Sequence, residues 1–360
     1  MNYFNYHEFQ IPIPPSPTFN IFGALLHSTV GDFTDHVSYC ASIKELIPNS
    51  RLDVYYRPNR PYKEAIVSMA PTVDRAWPAD SPLPINLFDA SSDRSPIGPD
   101  DWYALGCAQP KLMILPSNGT FTDLANLPRR ARLRVPNREI YEDALRQLVG
   151  DGWFVVLHYR ELGYEFRKPT GLREANLEHI PAIVDRVIHH GGQVVRIGHP
   201  EMSALEARPG FIDLKNADFL LQAHAIARAR CFFEASPSGP ASLALAQGVP
   251  TARCNGADLR CIAKDQGFMA PLRVIHQSGK DLTRHLIETN QSEVRPIREH
   301  PELRYQQLEL SDLLDALERL LDLTRNATNG WRDDTPPPPG PPIPGFHPGP
   351  ARPFTGTFLL

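Results

Sequence analysis

Apolar segments alternate with amphipathic ones from residue 19 onwards, which is the pattern of strands followed by helices. In the first third of the chain, we predict a strand at 19–27, a polar glycine-containing turn at 28–32, a helix at 35–46 and a strand at 51–56. These elements make one strand-helix-strand unit. The following stretch, 57–135, is rich in Pro, Ser and Asp and predicts only one further buried strand, at 111–115.

The alternation is more regular from residue 137 onwards. We predict strands at 153–158, 193–197, 211–214, 230–234 and 251–254, with helices at 137–148, 176–190, 217–229 and 239–247 and a leucine-rich helix that has Ser311 near its start. Strands that are apolar on both faces and separated by helices indicate a parallel sheet covered by helices on both sides. The predicted fold is therefore α/β, with two Rossmann-like doubly wound lobes facing a cleft.

Proline marks the two ends of the chain. Ten of the 37 prolines lie between Pro336 and Pro353, where apolar periodicity is missing, so we predict a disordered or polyproline-like tail without helix or strand. The opening IPIPPSP is a shorter stretch of the same kind. The predicted domains are an N-terminal extension at 1–18, a first lobe at 19–135, a second lobe at 136–330 and a proline-rich tail at 331–360.

Composition excludes several classes of function. Hydrophobic residues make up 42% of the chain and the formal net charge is -4, so the protein is globular and no nucleic-acid partner is expected. No apolar run reaches the ~18 residues of a membrane helix, and the start lacks a signal-peptide pattern, so we expect a cytoplasmic protein without a transmembrane segment. The five cysteines show no zinc spacing, and we predict reduced thiols and no metal site.

Doubly wound sheets bind ligands beyond the carboxyl ends of their strands, so the loops after predicted strands hold the candidate residues. In the first of these loops, Asp32 follows Gly31 and is placed to accept a proton from a bound hydroxyl. Asp35, His36 and Glu161 are the rival bases. The structural alternative for either aspartate is a helix N-cap.

Two predicted strands of the second lobe end in arginine. Arg160 follows His158 at the end of one strand, and Arg196 ends the next strand, just before Gly198. A guanidinium offers a planar fork to phosphate oxygens, a histidine can donate to the same anion, and the glycine lets the backbone approach a ligand. The alternative is a partly buried histidine with arginines on the surface.

A loop of small residues follows the strand at 230–234. Ser236, Ser238 and Gly239 leave backbone N–H groups accessible before a predicted helix N-terminus, which favours a diphosphate-binding loop. The loop has neither the Walker pattern nor Gly-x-Gly-x-x-Gly, which argues against a nicotinamide cofactor. An ordinary strand-to-helix turn capped by Ser238 is the alternative.

Taken together, these motifs resemble two-lobed glycosyltransferases of the GT-B fold. Residues 29–56 (TVGDFTDHVSYCASIKELIPNSRLDVYY) are similar to the opening of ADP-heptose:lipopolysaccharide heptosyltransferases, in which the aspartate of the Gly-Asp pair is a candidate base, here Asp32. The His-x-Arg motif and serine-rich loop also resemble protein O-fucosyltransferases, whose arginine holds the nucleotide diphosphate, and Arg160 matches that position. The second lobe further resembles a bacterial glycosyltransferase family known mainly from sequence, through His158–Glu161, Asn176, Val194–Gly198, Phe211–Asp213 and Ser236–Gly239.

The resemblance implies an inverting, metal-independent glycosyltransferase without a further cofactor. It would move a sugar from a nucleotide-diphosphate sugar, bound by the second lobe, to a hydroxyl or amine of a small-molecule, glycan or peptide acceptor on the first lobe. The implied catalytic residues are Asp32, Glu161 and His36, and the implied donor-binding residues are His158, Arg160, Arg196, Gly198, Ser236, Ser238 and Gly239. A sugar-nucleotide epimerase of the same architecture and a non-catalytic binding or scaffold protein are the alternatives. The nucleotide, the sugar, the acceptor and the oligomeric state are left open.

Overall fold

Two units, separated near residue 134, make up the chain. Unit 1 comprises Met1–Leu133 and Arg352–Leu360, and unit 2 comprises Arg134–Ala351. The computed structural model describes residues 19–25, 27–78, 112–115, 124, 127, 130–161, 172–256, 267–283, 302–326 and 356–359. The predicted N-terminal extension at 1–18 lies outside these residues.

A five-stranded sheet forms the centre of unit 1. Its strands are β1 (Phe19–Leu25), β2 (Ser50–Tyr56), β3 (Arg75–Pro78), β4 (Leu112–Leu115) and β13 (Gly356–Leu359), and its helices are α1 (Val30–Leu46) and α2 (Pro61–Ser68). The strand order is β13-β4-β1-β2-β3, with β4, β1, β2 and β3 parallel. The strand order reverses at β1, between β2 and β4, so the loop after β1 lies at a topological switch point.

The first helix begins earlier than the sequence pattern predicts. Residues 30–34, which were assigned partly to a turn, form the first turn of α1, and Thr29 is its N-cap residue. Gly31 is buried inside this helix, so it does not make the predicted tight turn. The N-cap interpretation of Asp32 and Asp35 is therefore wrong, because Thr29 occupies that position.

The end of the chain differs from the predicted disordered tail. Gly356–Leu359 form β13, which pairs antiparallel with β4 at the edge of the sheet. The proline-rich stretch ends at Pro353, so these residues have backbone donors for a ladder, and Thr357 and Phe358 favour strand. Tail residues 327–355 lie outside the described part of the chain.

A six-stranded, wholly parallel sheet forms the centre of unit 2. Its strands are β5 (Phe154–His158), β6 (Gln193–Arg196), β7 (Phe211–Asp213), β8 (Cys231–Glu234), β9 (Thr251–Gly256) and β10 (Gly267–Pro271). The helices are α3 (Arg138–Val149), α4 (Ile180–His189, after a 3₁₀ turn at Leu177–His179), α5 (Phe219–Arg228), α6 (Pro240–Ala246) and α7 (Leu310–Leu323). A two-stranded antiparallel sheet of β11 (Arg273–His276) and β12 (Leu303–Gln306) completes the unit.

The strand order β10-β9-β8-β5-β6-β7 is that of a dinucleotide-binding Rossmann sheet. Every residue of β5 and β8 is buried, which explains why their sequences are almost continuously apolar. Arg230 is also buried and donates to the carbonyls of Leu321 (2.7 Å) and Thr324 (2.9 Å) at the end of α7. These bonds satisfy carbonyls that a helix C-terminus otherwise leaves unpaired.

The observed architecture confirms the predicted α/β class with two Rossmann-like units. None of the helices in the described ranges is both long and apolar enough to cross a membrane. Of the five cysteines, Cys40, Cys231 and Cys254 are buried free thiols, and the other two lie outside the described residues.

Candidate active site

The loops after β5 and β8 meet at the switch point of unit 2. These strands are neighbours in the sheet, and the strand order reverses between them, which opens a crevice at their carboxyl ends. The amide of Ala235 donates to the His158 carbonyl (3.0 Å), and the amide of Arg160 donates to Ser236 Oγ (2.8 Å). The structure thus brings together His158, Arg160 and Ser236, as the motifs predicted.

Arg160 has a fixed backbone and a side chain with bonding capacity to spare. Its carbonyl accepts from the amide of Ala175 (2.8 Å), while its own amide is held by Ser236. Its Nε is shielded from solvent and finds no hydrogen-bond partner in the described part of the chain. A buried guanidinium N–H without an acceptor is costly, so this group is suited to meet an anion that binds at the crevice.

His158 is a neutral histidine in this site. The side chain is 8% exposed, and its Nδ1 lacks a hydrogen-bond partner within the described residues. Burial, together with the smaller effect of the nearby positive charge of Arg196, lowers the pKa of His158 to about 3. The imidazole can therefore form a hydrogen bond with a ligand but brings no charge to it near neutral pH.

A buried glutamate organises the small-residue loop after β8. Glu234 is fully buried, and its Oε1 accepts both the Ser238 amide (2.5 Å) and the Ser238 hydroxyl (2.8 Å). Its Oε2 accepts from Arg253 Nε (2.7 Å), so the charge is paired. Ser238 therefore directs both of its donors to Glu234, whereas the sequence pattern predicted that they bind a diphosphate. Gly239 precedes α6, a helix that begins with Pro240 and has no side-chain cap.

Arg196, which was predicted to bind the diphosphate, is engaged in contacts within the protein. It is fully buried and forms a two-point ion pair with Asp213, at 3.1 Å (Nε to Oδ1) and 2.5 Å (Nη2 to Oδ2). Its Nη1 donates to Tyr159 Oη (2.6 Å) and to the Ser203 carbonyl (2.9 Å). The physical reason is strand order: β6 lies on the side of β5 away from β8, so its end is not at the switch point.

Gly198 also has a structural role that differs from the predicted one. Its amide donates to Gln222 Oε1 (2.9 Å), and its φ of 154° suits glycine. A Cβ at this position would lie 2.1 Å from Met202 Sδ, so the glycine makes room for a protein side chain. The predicted approach of a ligand to Gly198 stays a prediction.

Glu161 holds the loop that follows β6. Its Oε2 accepts from the amide (2.8 Å) and the hydroxyl (2.7 Å) of Ser203. Ser203 also accepts from Arg196 through its carbonyl, so Glu161 and Arg196 clamp the same residue. Glu161 Oε1 is shielded from solvent and has no hydrogen-bond partner within the described residues. These contacts favour a positioning role over that of a base.

In unit 1, Asp32 lies in the first turn of α1, next to the end of β1. Its Oδ2 accepts from the Thr29 hydroxyl (2.6 Å) and lies 3.2 Å from His27 Nδ1. The Asp32 side chain is 41% exposed, whereas His36 is buried to 1% exposure. His36 and His27 pack edge to face with ring centroids 5.2 Å apart. Asp32 is the carboxylate of this cluster, and it is more exposed than His27, whose side chain is 31% exposed.

Several contacts of the candidate residues involve His27, Tyr159, Asp213 and Arg253, to which the sequence analysis assigned no role. Two of these had a usable signal, because Asp213 is the register partner of Arg196 and Arg253 that of Glu234. Charged residues within buried strands need a charged partner, so opposite charges in neighbouring strands predict such pairs once strand order is known. Among the described residues, no group of three or more His, Cys, Asp or Glu side chains could hold a metal ion.

The two Rossmann-like units define the fold as GT-B. No protein-family model matches the sequence, and neither does any curated protein. Among solved structures, the chain is similar to a glycosyl transferase family 9 protein from Veillonella parvula, with 11% identity over 84% of this chain and 97% of that one and a TM-score of 0.50. It is also similar to ADP-heptose lps heptosyltransferase II from E. coli, with 14% identity over 84% and 99% of the chains and a TM-score of 0.51. At these identities, the likeness establishes the fold.

Proposed function

We propose that the protein is a glycosyltransferase that moves a sugar from a nucleotide-diphosphate sugar to an acceptor hydroxyl or amine, with inversion and without a metal. The observation that carries this proposal is the position of Arg160 at the switch point of unit 2, with an Nε that has no hydrogen-bond partner among the residues the structure describes. The names of the two similar structures, a family 9 glycosyl transferase and a heptosyltransferase, agree with this reaction class.

Arg160 supplies the positive charge that the leaving group needs. Transfer leaves a nucleotide diphosphate, whose departing oxygen gains negative charge in the transition state, and preorganised donors stabilise that charge. The Ser236 hydroxyl accepts from the Arg160 amide, and the Ala175 amide donates to the Arg160 carbonyl, so the backbone of Arg160 is fixed. The site therefore needs little reorganisation when charge develops on the leaving group. A cation held in this way does the work that a divalent metal does elsewhere.

His158 complements this charge as a neutral partner. Its carbonyl is tied to the β8 loop through Ala235, and its buried Nδ1 has no partner within the described residues. A neutral imidazole donates one hydrogen bond to a phosphate or sugar oxygen without adding charge. Ser238 is left out of the diphosphate contacts because Glu234 holds its donors.

Asp32 is the base that this proposal favours. Inversion by direct displacement requires a group that takes the proton of the acceptor hydroxyl. Of the four candidates, His36 is buried and Glu161 is held by Ser203. Asp35 lies almost one turn further along α1, whereas Asp32 has a partly exposed carboxylate at the switch point of unit 1. The Thr29 hydroxyl and His27 orient that carboxylate.

The proposal is tested first by nucleotide binding and then by turnover. UDP, GDP, ADP and dTDP are screened by thermal stabilisation of the full chain, since a ligand at 100 times its Kd adds about 2.7 kcal/mol. The sugar conjugates of the best nucleotide are then incubated alone and with acceptors that carry hydroxyls or amines.

Transfer that requires an acceptor supports the proposal. Conversion of the donor sugar without an acceptor would instead identify an epimerase. Binding without turnover would identify a non-catalytic binding protein. Failure of every nucleotide diphosphate to stabilise the chain would contradict donor binding.

A further inference from the structure

Lys63, in the first turn of α2, is a fully buried cation that has no anionic partner within the described ranges of the chain. It has 0% exposure, and its Nζ forms no hydrogen bond with the described residues. Its recorded contact is with the ring of Phe33, whose centroid is 5.1 Å from Nζ. Lysines are almost never fully buried unless they are paired, and one cation–π contact offsets little of the desolvation cost.

Neighbouring charges add to this cost. Burial, together with the smaller effects of the positive charges of Arg57 and Arg60, lowers the pKa of Lys63 to about 8. Glu64 is next in sequence, and its charge helps to raise the pKa of Tyr56. Arg57 and Arg60 thus add positive charge near Lys63, whose Nζ has no hydrogen-bond partner among the described residues.

The position of Lys63 links it to the candidate base. The Tyr62 hydroxyl donates to the carbonyl of Ser28, so the start of α2 is fixed to the loop between β1 and α1. Phe33, which contacts the Lys63 ammonium, directly follows Asp32 in α1. The unpaired cation and the candidate base thus share the carboxyl edge of the unit 1 sheet.

We propose that Lys63, assisted by the charges of Arg57 and Arg60, binds an oxyanion of the acceptor, a carboxylate or a phosphate, and so selects anionic acceptors. That the bound anion belongs to an acceptor rests on the proposed function, whereas the anion site itself does not. A lysine carries its charge on a flexible four-carbon stem, so the ammonium can leave the Phe33 ring and meet the anion when the ligand binds.

The experiment compares Lys63→Met with Lys44→Met in the full chain. Lys44, in the same unit, is paired with Asp74 and serves as the control for loss of one lysine charge. The probes are inorganic phosphate and acetate, each against chloride at equal ionic strength, with the melting temperature and the Kd as readouts.

We expect Lys63→Met to melt at a higher temperature than the wild type in chloride, because methionine fills the site without an unpaired charge. We expect phosphate, acetate or both to stabilise the wild type and Lys44→Met, and the affinity of Lys63→Met to be at least ~10-fold weaker, as for the loss of a charged hydrogen bond. The two probes show which oxyanion is preferred. Lys63→Arg keeps the charge and should retain binding.

Three results would overturn the proposal. The first is a wild type that neither anion stabilises beyond chloride. The second is equal affinity of the wild type and Lys63→Met for the anion. The third is a lower melting temperature of Lys63→Met, which would assign the lysine a structural role. None of them involves the nucleotide, so failure of this site and failure of donor binding are separable.

Discussion

Replacement of Arg196 by methionine tests whether this arginine is structural, as its geometry indicates, or a ligand for phosphate. The side chain is fully buried and joins three parts of unit 2: Asp213 at the end of β7, Tyr159 after β5 and Ser203 in the loop after β6. Methionine has a similar length and no donors, so it removes all of these contacts together. We expect a large loss of stability.

The expected magnitude follows from what is left behind. Breaking a buried ion pair by removing one partner costs about 3–5 kcal/mol, because the remaining charge stays uncompensated. The Asp213 side chain is 27% exposed, so water recovers part of that loss, whereas Tyr159 is fully buried and its hydroxyl loses its donor. We therefore expect a loss of about 3 kcal/mol, and Arg196→Met with Asp213→Asn should lose less than the sum of the two single changes.

The assay is urea unfolding of the full chain, with hydrogen exchange read peptide by peptide. Exchange should rise across β5, β6 and β7 and remain unchanged in unit 1. Nucleotide affinity should fall only through the loss of order around Tyr159, which precedes Arg160 in the chain. Unchanged stability together with a collapse of nucleotide binding would refute this reasoning and return Arg196 to the diphosphate site.

Three further predictions concern single side chains. His158→Gln should remove a pH dependence of the free energy of unfolding. Because burial lowers the pKa of the folded-state His158 to about 3, the unfolded state binds a proton below pH ~6.5 and the folded state does not. The wild type should therefore lose ~1.4 kcal/mol more stability than the variant between pH 7.5 and 5.5 in urea titrations. Ser236→Ala removes the acceptor of the Arg160 amide and should weaken nucleotide-diphosphate binding about fivefold by calorimetry, whereas unchanged affinity would show that this bond does not position Arg160. Asp32→Asn should keep donor affinity while lowering turnover by about 10²–10⁴, and a loss of stability without a selective loss of turnover would assign Asp32 to helix stabilisation beside Thr29.

Local patterns in the sequence predicted most elements of unit 2 and one important adjacency. The apolar runs of β5 and β8 are long enough to identify buried parallel strands, and the loops that follow them carry His158, Arg160 and Ser236. The sequence pattern did not predict α2 and β3. Both are short and lie in a proline-rich stretch, so the alternation of apolar and polar residues extends over too few positions to identify them. The start of α1 was missed because Gly31 suggested a turn, although Thr29 supplies an N-cap.

Strand order is what the local pattern does not contain. Arg160 and Arg196 look alike in sequence, since each stands at or just beyond the end of an apolar strand. Arg160 follows β5, which borders the switch point, whereas Arg196 ends β6, which does not. The same limit applies to Ser238, whose orientation is set by the buried Glu234 four residues before it. The contacts of Arg196 depend on its pairing with Asp213 in the neighbouring strand, and those of Ser238 depend on the direction in which the buried Glu234 points. Neither can be deduced from the local sequence pattern, which predicted contact with a ligand for both residues.

The most direct measurement of the central claim is the affinity of the best nucleotide diphosphate for Arg160→Ala by calorimetry. Arg208→Ala is the matched control, because Arg208 lies in the same unit and pairs with Asp185 at 2.6 Å. Loss of a hydrogen-bonded charge predicts that Arg160→Ala binds about 10- to 150-fold more weakly, or ~1.5–3 kcal/mol, while the control binds like the wild type. Equal affinity of Arg160→Ala and the wild type would contradict the assignment of the switch point of unit 2 as the diphosphate site.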